Sequence, residues 1–228
     1  MGKILKILRA NHKELWANKD NLQSLLLGLV FLIFSLLVQR AADVYIVSLK
    51  VTAASDVLLS NLPTVDLDVL IIWGTILLPF IALAFVIHKP KYLNFSLKSL
   101  ALFIIIRSFL ISLTHLGADP NQLILNKNDF GFGLYNLLYN TNNDFFFSGH
   151  TGMPFLAALV FWPNKSWRYF FMVMSVVLGG SLLLAHIHYS IDVFAAPFMT
   201  YSIFAISKKF FSKDYELSRH VSAGDKTN

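Results

Sequence analysis

Long apolar runs alternate with short polar segments along this chain, and the runs set its architecture. Six of them predict membrane helices, at residues 22–38, 69–87, 100–116, 148–162, 169–185 and 191–207. Most approach the ~20 apolar residues that cross a ~30 Å hydrocarbon core. The pattern therefore predicts an all-α fold, a polytopic integral membrane protein with six transmembrane helices.

The fourth run is the shortest. At ~1.5 Å rise per residue its helix reaches only about 22 Å, so we expect one of its ends to lie below the membrane surface. That end carries His150. A second ionisable cluster, around His188, lies in the tight turn between the fifth and sixth runs.

The basic residues are distributed unevenly among the segments between the apolar runs. Of the 19 Lys and Arg residues, 15 lie in the N-terminal segment 1–21, the tail 208–228 and the second and fourth loops. The other three loops hold only Arg40, Lys50 and Lys127. The positive-inside rule then predicts that the basic segments 1–21 and 208–228 are cytoplasmic and flank a membrane domain at 22–207. Both histidine clusters face the exoplasmic side, and we expect a bacterial inner membrane as the location.

Composition supports a membrane setting and narrows the chemistry. Hydrophobic residues make up 56% of the chain and charged residues only 14%, which is too apolar for a soluble domain. The formal charge of +6 could suggest nucleic acid, but basic residues beside apolar runs are typical of membrane anchoring. We therefore expect a membrane as partner and no nucleic acid. The absence of cysteine excludes a disulfide framework and a thiol nucleophile.

Two polar clusters stand out because ionisable groups are costly in a membrane and are therefore candidates for function. His188 and Asp192 are four residues apart, so on one helix face the carboxylate can hold an imidazole nitrogen. The other nitrogen then becomes a better nucleophile. His150, from another helix, can transfer protons. Because both clusters lie at helix starts, where free N–H groups favour phosphate, we interpret them as a phosphoryl-transfer site for a lipid headgroup.

Structural roles for the same residues remain open. A histidine near a span end is often an interfacial hydrogen-bonding residue, and Ser148 and Asp192 are good helix N-caps. His186 points to a different helical face and is interpreted as a packing or hydrogen-bonding residue. Together with His150, His188 and Asp192 it supplies enough donors for zinc, but the His-x-His spacing is not that of typical helical zinc sites. We predict no metal and no cofactor.

The third loop, residues 117–147, is rich in asparagine and contains Gly131 and Gly133. Such a composition is typical of irregular structure. Long loops are often functional, so we interpret this one as a cap over the site. A solvated connector is the alternative.

Residues 144–151 (DFFFSGHT) and 186–193 (HIHYSIDV) resemble the two signature segments of sphingomyelin synthase and its relatives, within the type-2 phosphatidic acid phosphatase superfamily. The resemblance is specific over about the last 85 residues and architectural before them. It implies that His188 attacks phosphorus to give a phosphohistidine and that Asp192 orients it. It also implies that His150 assists the leaving and accepting oxygens, without a metal.

Two departures from the superfamily pattern bear on the substrate. Its lipid phosphatases usually carry an arginine six positions before the nucleophile, where this chain has Leu182, and the chain has no Arg-Pro pair. Arg107 more loosely resembles an upstream arginine of the synthases. It is either a site cation or half of a buried pair with Asp119 or Asp129.

The expectation from the sequence is an enzyme that moves a phospholipid headgroup to a lipid alcohol, ceramide or diacylglycerol. The predicted catalytic residues are His150, His188 and Asp192, and the predicted substrate-binding residues are Arg107, Ser148, Gly149 and Tyr189. A phospholipase C-like hydrolase or a lipid phosphate phosphatase is the alternative. A non-enzymatic lipid-binding or transport protein is the third, and a homo-oligomer is left open.

Overall fold

The computed structural model of the chain describes residues 12–13, 15–114, 116–138 and 145–219. Their regular structure is helical, and none of them lies in a strand beyond one isolated bridge between Thr52 and Leu116. The helices are α1 (Lys19–Val47), α2 (Asp68–His88), α3 (Leu93–Leu113), α4 (Phe132–Leu138), α5 (Gly149–Val160), α6 (Lys165–Leu184), α7 (Ser190–Phe210) and α8 (Ser212–Arg219). The predicted all-α, polytopic membrane architecture is confirmed.

Five of the helices in the described residues are long and apolar enough to cross a membrane. These are α1, α2, α3, α6 and α7, which correspond to five of the six predicted runs. The remaining run forms α5, which has only 12 residues and a length of ~18 Å. It ends before Pro163, which lacks the N–H a continuing helix needs. At the start of α5, His150 is buried inside the protein and only 7% exposed, while the depth of this end in the membrane stays a prediction.

Two helices, α1 and α3, extend by seven residues or more past their predicted boundaries, and in both a charged residue caused the error; α6 and α7 extend by only four and three residues. The first run was predicted to end at residue 38, but α1 continues to Val47 with Arg40 exposed on its surface. The third was predicted to begin at residue 100, but α3 begins at Leu93 and contains Lys98. Lys98 is 5% exposed because its charge is paired inside the protein.

The partner of Lys98 comes from the short last helix. Asp214 in α8 places its Oδ2 2.6 Å from Lys98 Nζ, and its Oδ1 accepts a 2.6 Å hydrogen bond from the hydroxyl of Ser24 in α1. The helix Ser212–Arg219 thus fastens the start of α1 to the start of α3. The rest of the predicted terminal segments, residues 1–11, 14 and 220–228, lies outside the described residues.

The long helices alternate in direction, which gives the bundle two ends. We call the end with the first residues of α1, α3 and α6 and the last residues of α7 the basic end, because Lys19, Lys165, Lys208 and Lys209 lie there. The opposite end, where α5 and α7 begin, is the site end. It carries both histidine clusters.

Close packing fixes the position of α5 in the bundle. A Cβ atom at Gly152 would lie 2.8 Å from Thr200 Oγ1 and 2.9 Å from the ring of Phe103, so α5 touches α7 and α3 at this point. Below it, Phe161 packs edge-on against Phe85 with ring centroids 4.6 Å apart. These contacts hold the helix start that carries His150 in a fixed place.

Candidate active site

The two polar clusters meet where α5 and α7 begin. The backbone N–H of Ser148 donates a 2.9 Å hydrogen bond to the backbone carbonyl of Asp192, which joins the two helix starts directly. The chain reaches Ser148 through Phe146 and Phe147, both with positive φ (139° and 30°). Such backbone is strained for residues with side chains, and the buried ring of Phe147, edge-on to Phe103 at 5.5 Å, holds it in place.

His188 and Asp192 form the contact that their spacing predicts. His188 Nδ1 lies 3.2 Å from Asp192 Oδ2, which also accepts a 3.2 Å hydrogen bond from the N–H of Tyr189. Asp192 is fully buried. A carboxylate can only accept hydrogen bonds, so a carboxylate at Asp192 selects the His188 tautomer with its proton on Nδ1. This leaves Nε2 of His188 with its lone pair directed elsewhere, as a nucleophile requires.

His150 faces His188 from the first turn of α5. The two imidazole centroids are 5.7 Å apart with their planes at 65°. Both side chains are buried, at 7% and 4% exposure. Two imidazoles at this separation can contact the same small group from two sides, one as a nucleophile and one as a proton donor.

Arg107 brings a positive charge to the start of α5. Its Nε donates a 3.2 Å hydrogen bond to the carbonyl of Phe147, and its guanidinium carbon lies 3.2 Å from the point where a Cβ at residue 149 would be. Gly149 is therefore the residue that lets the guanidinium approach. The helix start adds unpaired N–H groups and a positive dipole end, so this region suits an anion.

The two carboxylates considered as partners of Arg107 have other contacts in the structure. Asp119 Oδ1 lies 3.5 Å from His186 Nδ1. Asp129 Oδ1 accepts a 2.7 Å hydrogen bond from the N–H of Gly131. Neither of these contacts is with Arg107, and its role in the site stays a prediction.

His186 turns away from the other histidines. It has left-handed backbone (φ 54°), and its Nε2 lies 3.3 Å from the carbonyl oxygen of Leu62. Its contacts are those of the hydrogen-bonding residue that the sequence predicts. Across the described ranges, no three His, Asp or Glu side chains form a group that could hold a metal ion, so the geometry gives the zinc interpretation no support.

Tyr189 and Ser148, both predicted to bind substrate, have side chains engaged in local structure. The Tyr189 hydroxyl donates a 2.8 Å hydrogen bond to the carbonyl of Gly117 and accepts one of 3.0 Å from the N–H of Ala54. Burial raises the pKa of this phenol. The Ser148 hydroxyl caps α5 by accepting from the N–H of Thr151.

Asp56, in the loop between α1 and α2, fastens that loop to the start of α7. Its Oδ2 accepts a 2.7 Å hydrogen bond from the N–H of Ser190. Burial alone would raise the pKa of Asp56, but hydrogen bonds from the backbone of Ser190, Leu59 and Leu58 hold the pKa below its usual value. The site end is therefore tied together largely by side chains that accept backbone N–H groups.

Tyr135 is a site residue that the sequence analysis missed. It lies in α4, within the predicted cap, and its hydroxyl is 3.3 Å from His150 Nε2 with the two rings stacked at 6.0 Å. The only sequence signal is the aromatic pair Phe132 and Tyr135, three residues apart after Gly131. The described part of the loop thus covers the site at His150, while residues 139–144 lie outside the described residues.

The apolar helices and this site together define a class: a membrane protein with a candidate site for chemistry on an anionic group. The site contains two imidazoles, a buried carboxylate and a guanidinium at two joined helix starts. Residues 141–209, which contain both polar clusters, match the family described as PAP2 superfamily C-terminal. This match supports the type-2 phosphatidic acid phosphatase superfamily, and with it lipid phosphatase or phosphotransferase chemistry in general. Neither the curated proteins nor the solved structures compared with the chain gave a match.

Proposed function

We propose that this protein transfers a phosphorylated headgroup from a phospholipid to a lipid alcohol, ceramide or diacylglycerol, through a phosphohistidine at His188. The observation that carries the proposal is the convergence of three groups at two joined helix starts. These groups are His188 with its carboxylate partner Asp192, His150, and the guanidinium of Arg107. The membrane domain at residues 22–207 supplies all of them.

The first half-reaction forms the covalent intermediate. Nε2 of His188 attacks the phosphorus of the donor phosphodiester, and the bond from phosphorus to the diacylglycerol oxygen breaks. His150, protonated when the anionic donor is bound beside it, gives its proton to that oxygen, so diacylglycerol leaves as a neutral alcohol. Asp192 stabilises the positive charge that develops on the ring of His188.

The second half-reaction reverses these roles. The hydroxyl of the acceptor lipid attacks phosphorus and gives its proton to His150, while the bond from phosphorus to Nε2 breaks. The products are the transferred headgroup lipid and the starting protonation states of both histidines. In both steps Arg107 and the N–H groups at the start of α5 stabilise the negative phosphoryl oxygens.

Transfer rather than hydrolysis requires that water be kept from the intermediate. Apolar side chains surround the site, with Phe145 edge-on to the ring of His188 at 6.0 Å and the α4 residue Tyr135 against His150. Leu182, at the position where lipid phosphatases have arginine, is fully buried. These features favour a diester headgroup and a lipid acceptor over release of inorganic phosphate.

The proposal includes the orientation of the protein. The distribution of lysine and arginine favours cytoplasmic termini, so the site end faces the exoplasmic side of the membrane. A donor and an acceptor lipid then both reach the site from the same leaflet. The intact set of two histidines and an aspartate favours an enzyme over a lipid-binding or transport protein.

The experiment is a transfer assay with purified protein in mixed micelles. Phosphatidylcholine or phosphatidylethanolamine is the donor, and fluorescent ceramide or diacylglycerol is the acceptor. We expect more headgroup-labelled acceptor than free phosphorylated headgroup, and no effect of a chelator. His188→Ala should abolish both products, while His186→Ala, the matched control, should retain most of the activity.

The same assay separates the alternatives. If free phosphorylated headgroup dominates at saturating acceptor, the protein is a phospholipase C-like hydrolase. If phosphatidic acid, supplied as a third donor, is the only lipid turned over, with release of inorganic phosphate, the protein is a lipid phosphatase. Near-normal turnover by His188→Ala would overturn the proposed mechanism.

A further inference from the structure

An apolar cavity of about 200 Å³ leads away from the site into the bundle. It lies between α2, α3, α5 and α6. At the site end its wall includes Gly149 and His150, and at the other end it is lined by Val86, Phe161 and Phe171. One end of the cavity is therefore formed by the candidate site and the other by the aromatic core at the basic end.

The chemistry of the wall indicates what the cavity holds. Apart from His150, the only polar side chains among the described residues that line it are Thr75 and Ser96. Buried water needs two to four polar partners, whereas apolar cavities of about 150 Å³ stay dry and bind small hydrocarbons. The wall thus favours a hydrocarbon over water or a polar headgroup.

The cavity also has an open side. Pro79 and Leu83, one helical turn apart on α2, line the cavity and are exposed on the surface of the bundle. Leu97 on α3 lines it from the facing helix. In a membrane-spanning protein this opening faces lipid, so a hydrocarbon chain can enter sideways between α2 and α3 without crossing water.

We propose that this cavity binds one acyl chain of the lipid whose phosphate reacts at His188, a proposal that rests on the proposed function. The length of the cavity follows α5 from His150 to Phe161, eleven residues apart in the sequence, which is ~17 Å at ~1.5 Å per residue. Phe161 and Phe171, with ring centroids 5.6 Å apart, close its far end. The closed end limits the length of the chain that fits.

A photocrosslinking experiment tests occupancy without requiring turnover. The intact protein is placed in nanodiscs with a phosphatidylcholine that carries a diazirine near the end of one acyl chain. We expect crosslinks on cavity-lining residues, namely Ala157 and Val160 of α5 or Leu78, Ala82 and Val86 of α2. Crosslinks confined to outward-facing side chains such as Phe80 and Phe198, both exposed, would overturn the proposal.

A matched pair of variants assigns the crosslinks to the cavity. Ala157→Trp fills the cavity from α5, whereas Ala205→Trp adds the same ring on the exposed face of α7. Only the first should reduce the crosslinks. Ala82→Trp fills the cavity from α2. It serves as a second cavity variant in case Ala157→Trp does not fold. Unchanged crosslinking in both cavity variants contradicts the proposal.

Chain-length preference supplies the second readout. For donors that differ only in acyl length, Ala157→Trp should shift the ratio of kcat/KM for short over long chains by about tenfold or more, because one methylene in an apolar pocket is already worth about 10- to 200-fold. Ala205→Trp should leave the ratio unchanged.

The two proposals fail in different ways. His188→Ala should lose turnover but keep the crosslinks, since the cavity does not depend on the nucleophile. Crosslinks in the cavity without any headgroup turnover by the wild-type protein would sink the proposed function alone. Turnover that responds to His188→Ala, without cavity crosslinks, would sink the acyl-chain proposal alone.

Discussion

Replacing Asp192 by asparagine isolates the electrostatic part of the mechanism from the shape of the site. The Oδ2 atom of Asp192 contacts both His188 Nδ1 and the N–H of Tyr189, each at 3.2 Å. Asparagine has the same shape but no charge. If its amide oxygen takes the place of Oδ2, both hydrogen bonds remain, but the charge that stabilises the cationic ring of His188 is lost. If its NH₂ group takes that place, it meets the N–H of Tyr189 and donates to His188 Nδ1, which moves the imidazole proton to Nε2.

A proton on Nε2 removes the lone pair that attacks phosphorus. Comparable aspartate-to-asparagine changes beside a catalytic histidine lower kcat about 10⁴-fold, which corresponds to ~5.5 kcal/mol. We expect a loss of 10³ to 10⁴-fold in Asp192→Asn. The assay is the micelle transfer reaction, with thermal unfolding measured in parallel. A loss of less than about tenfold in a folded variant would refute the assignment of Asp192 as the group that orients His188.

Three further predictions concern the surroundings of the site. Tyr135→Phe should lower kcat about three- to tenfold, because one neutral hydrogen bond to His150 is worth ~0.5–1.5 kcal/mol. Gly152→Ala should lower the free energy of unfolding by about 1–3 kcal/mol, since its Cβ would overlap two side chains, whereas Gly180→Ala should be neutral or slightly stabilising because nothing lies within 4 Å. Lys98→Met should cost ~3–5 kcal/mol of stability, since it leaves a buried carboxylate without its charged partner.

Each of these has a contrary outcome. Unchanged kcat and pH profile in Tyr135→Phe would show that the contact to His150 does not act in turnover. Equal stability of the Gly152 and Gly180 variants in thermal unfolding would contradict the close packing of α5. For the ion pair, the double change Lys98→Met with Asp214→Leu should recover much of the lost stability, and a purely additive loss would contradict direct pairing.

The sequence alone predicts those parts of the site that depend on residues close together in the chain. The spacing of His188 and Asp192 predicts their contact because one helical turn brings such residues together. Ser148 is predicted as an N-cap for a similarly local reason. The meeting of the two clusters at one end of the bundle follows from the alternating direction of successive helices.

The features that the sequence does not predict depend on contacts between distant segments. Lys98 interrupts an apolar run and suggests a loop, but α8 supplies Asp214 from 116 residues away, so the charge lies inside a helix. Tyr135 belongs to a loop without a clear helical pattern, and its place beside His150 is a matter of tertiary packing. The acyl cavity likewise results from four helices whose individual sequences give no sign of a gap.

The most direct test of the central claim is detection of the covalent intermediate. Purified protein is mixed with a donor phospholipid in the absence of acceptor, kept at alkaline pH because phosphohistidine is labile in acid, and digested for mass spectrometry. We predict a headgroup phosphate on His188, present also in His186→Ala, absent in His188→Ala, and lost when ceramide or diacylglycerol is added. Continued turnover with no adduct on His188, or an adduct on another residue, would contradict the account.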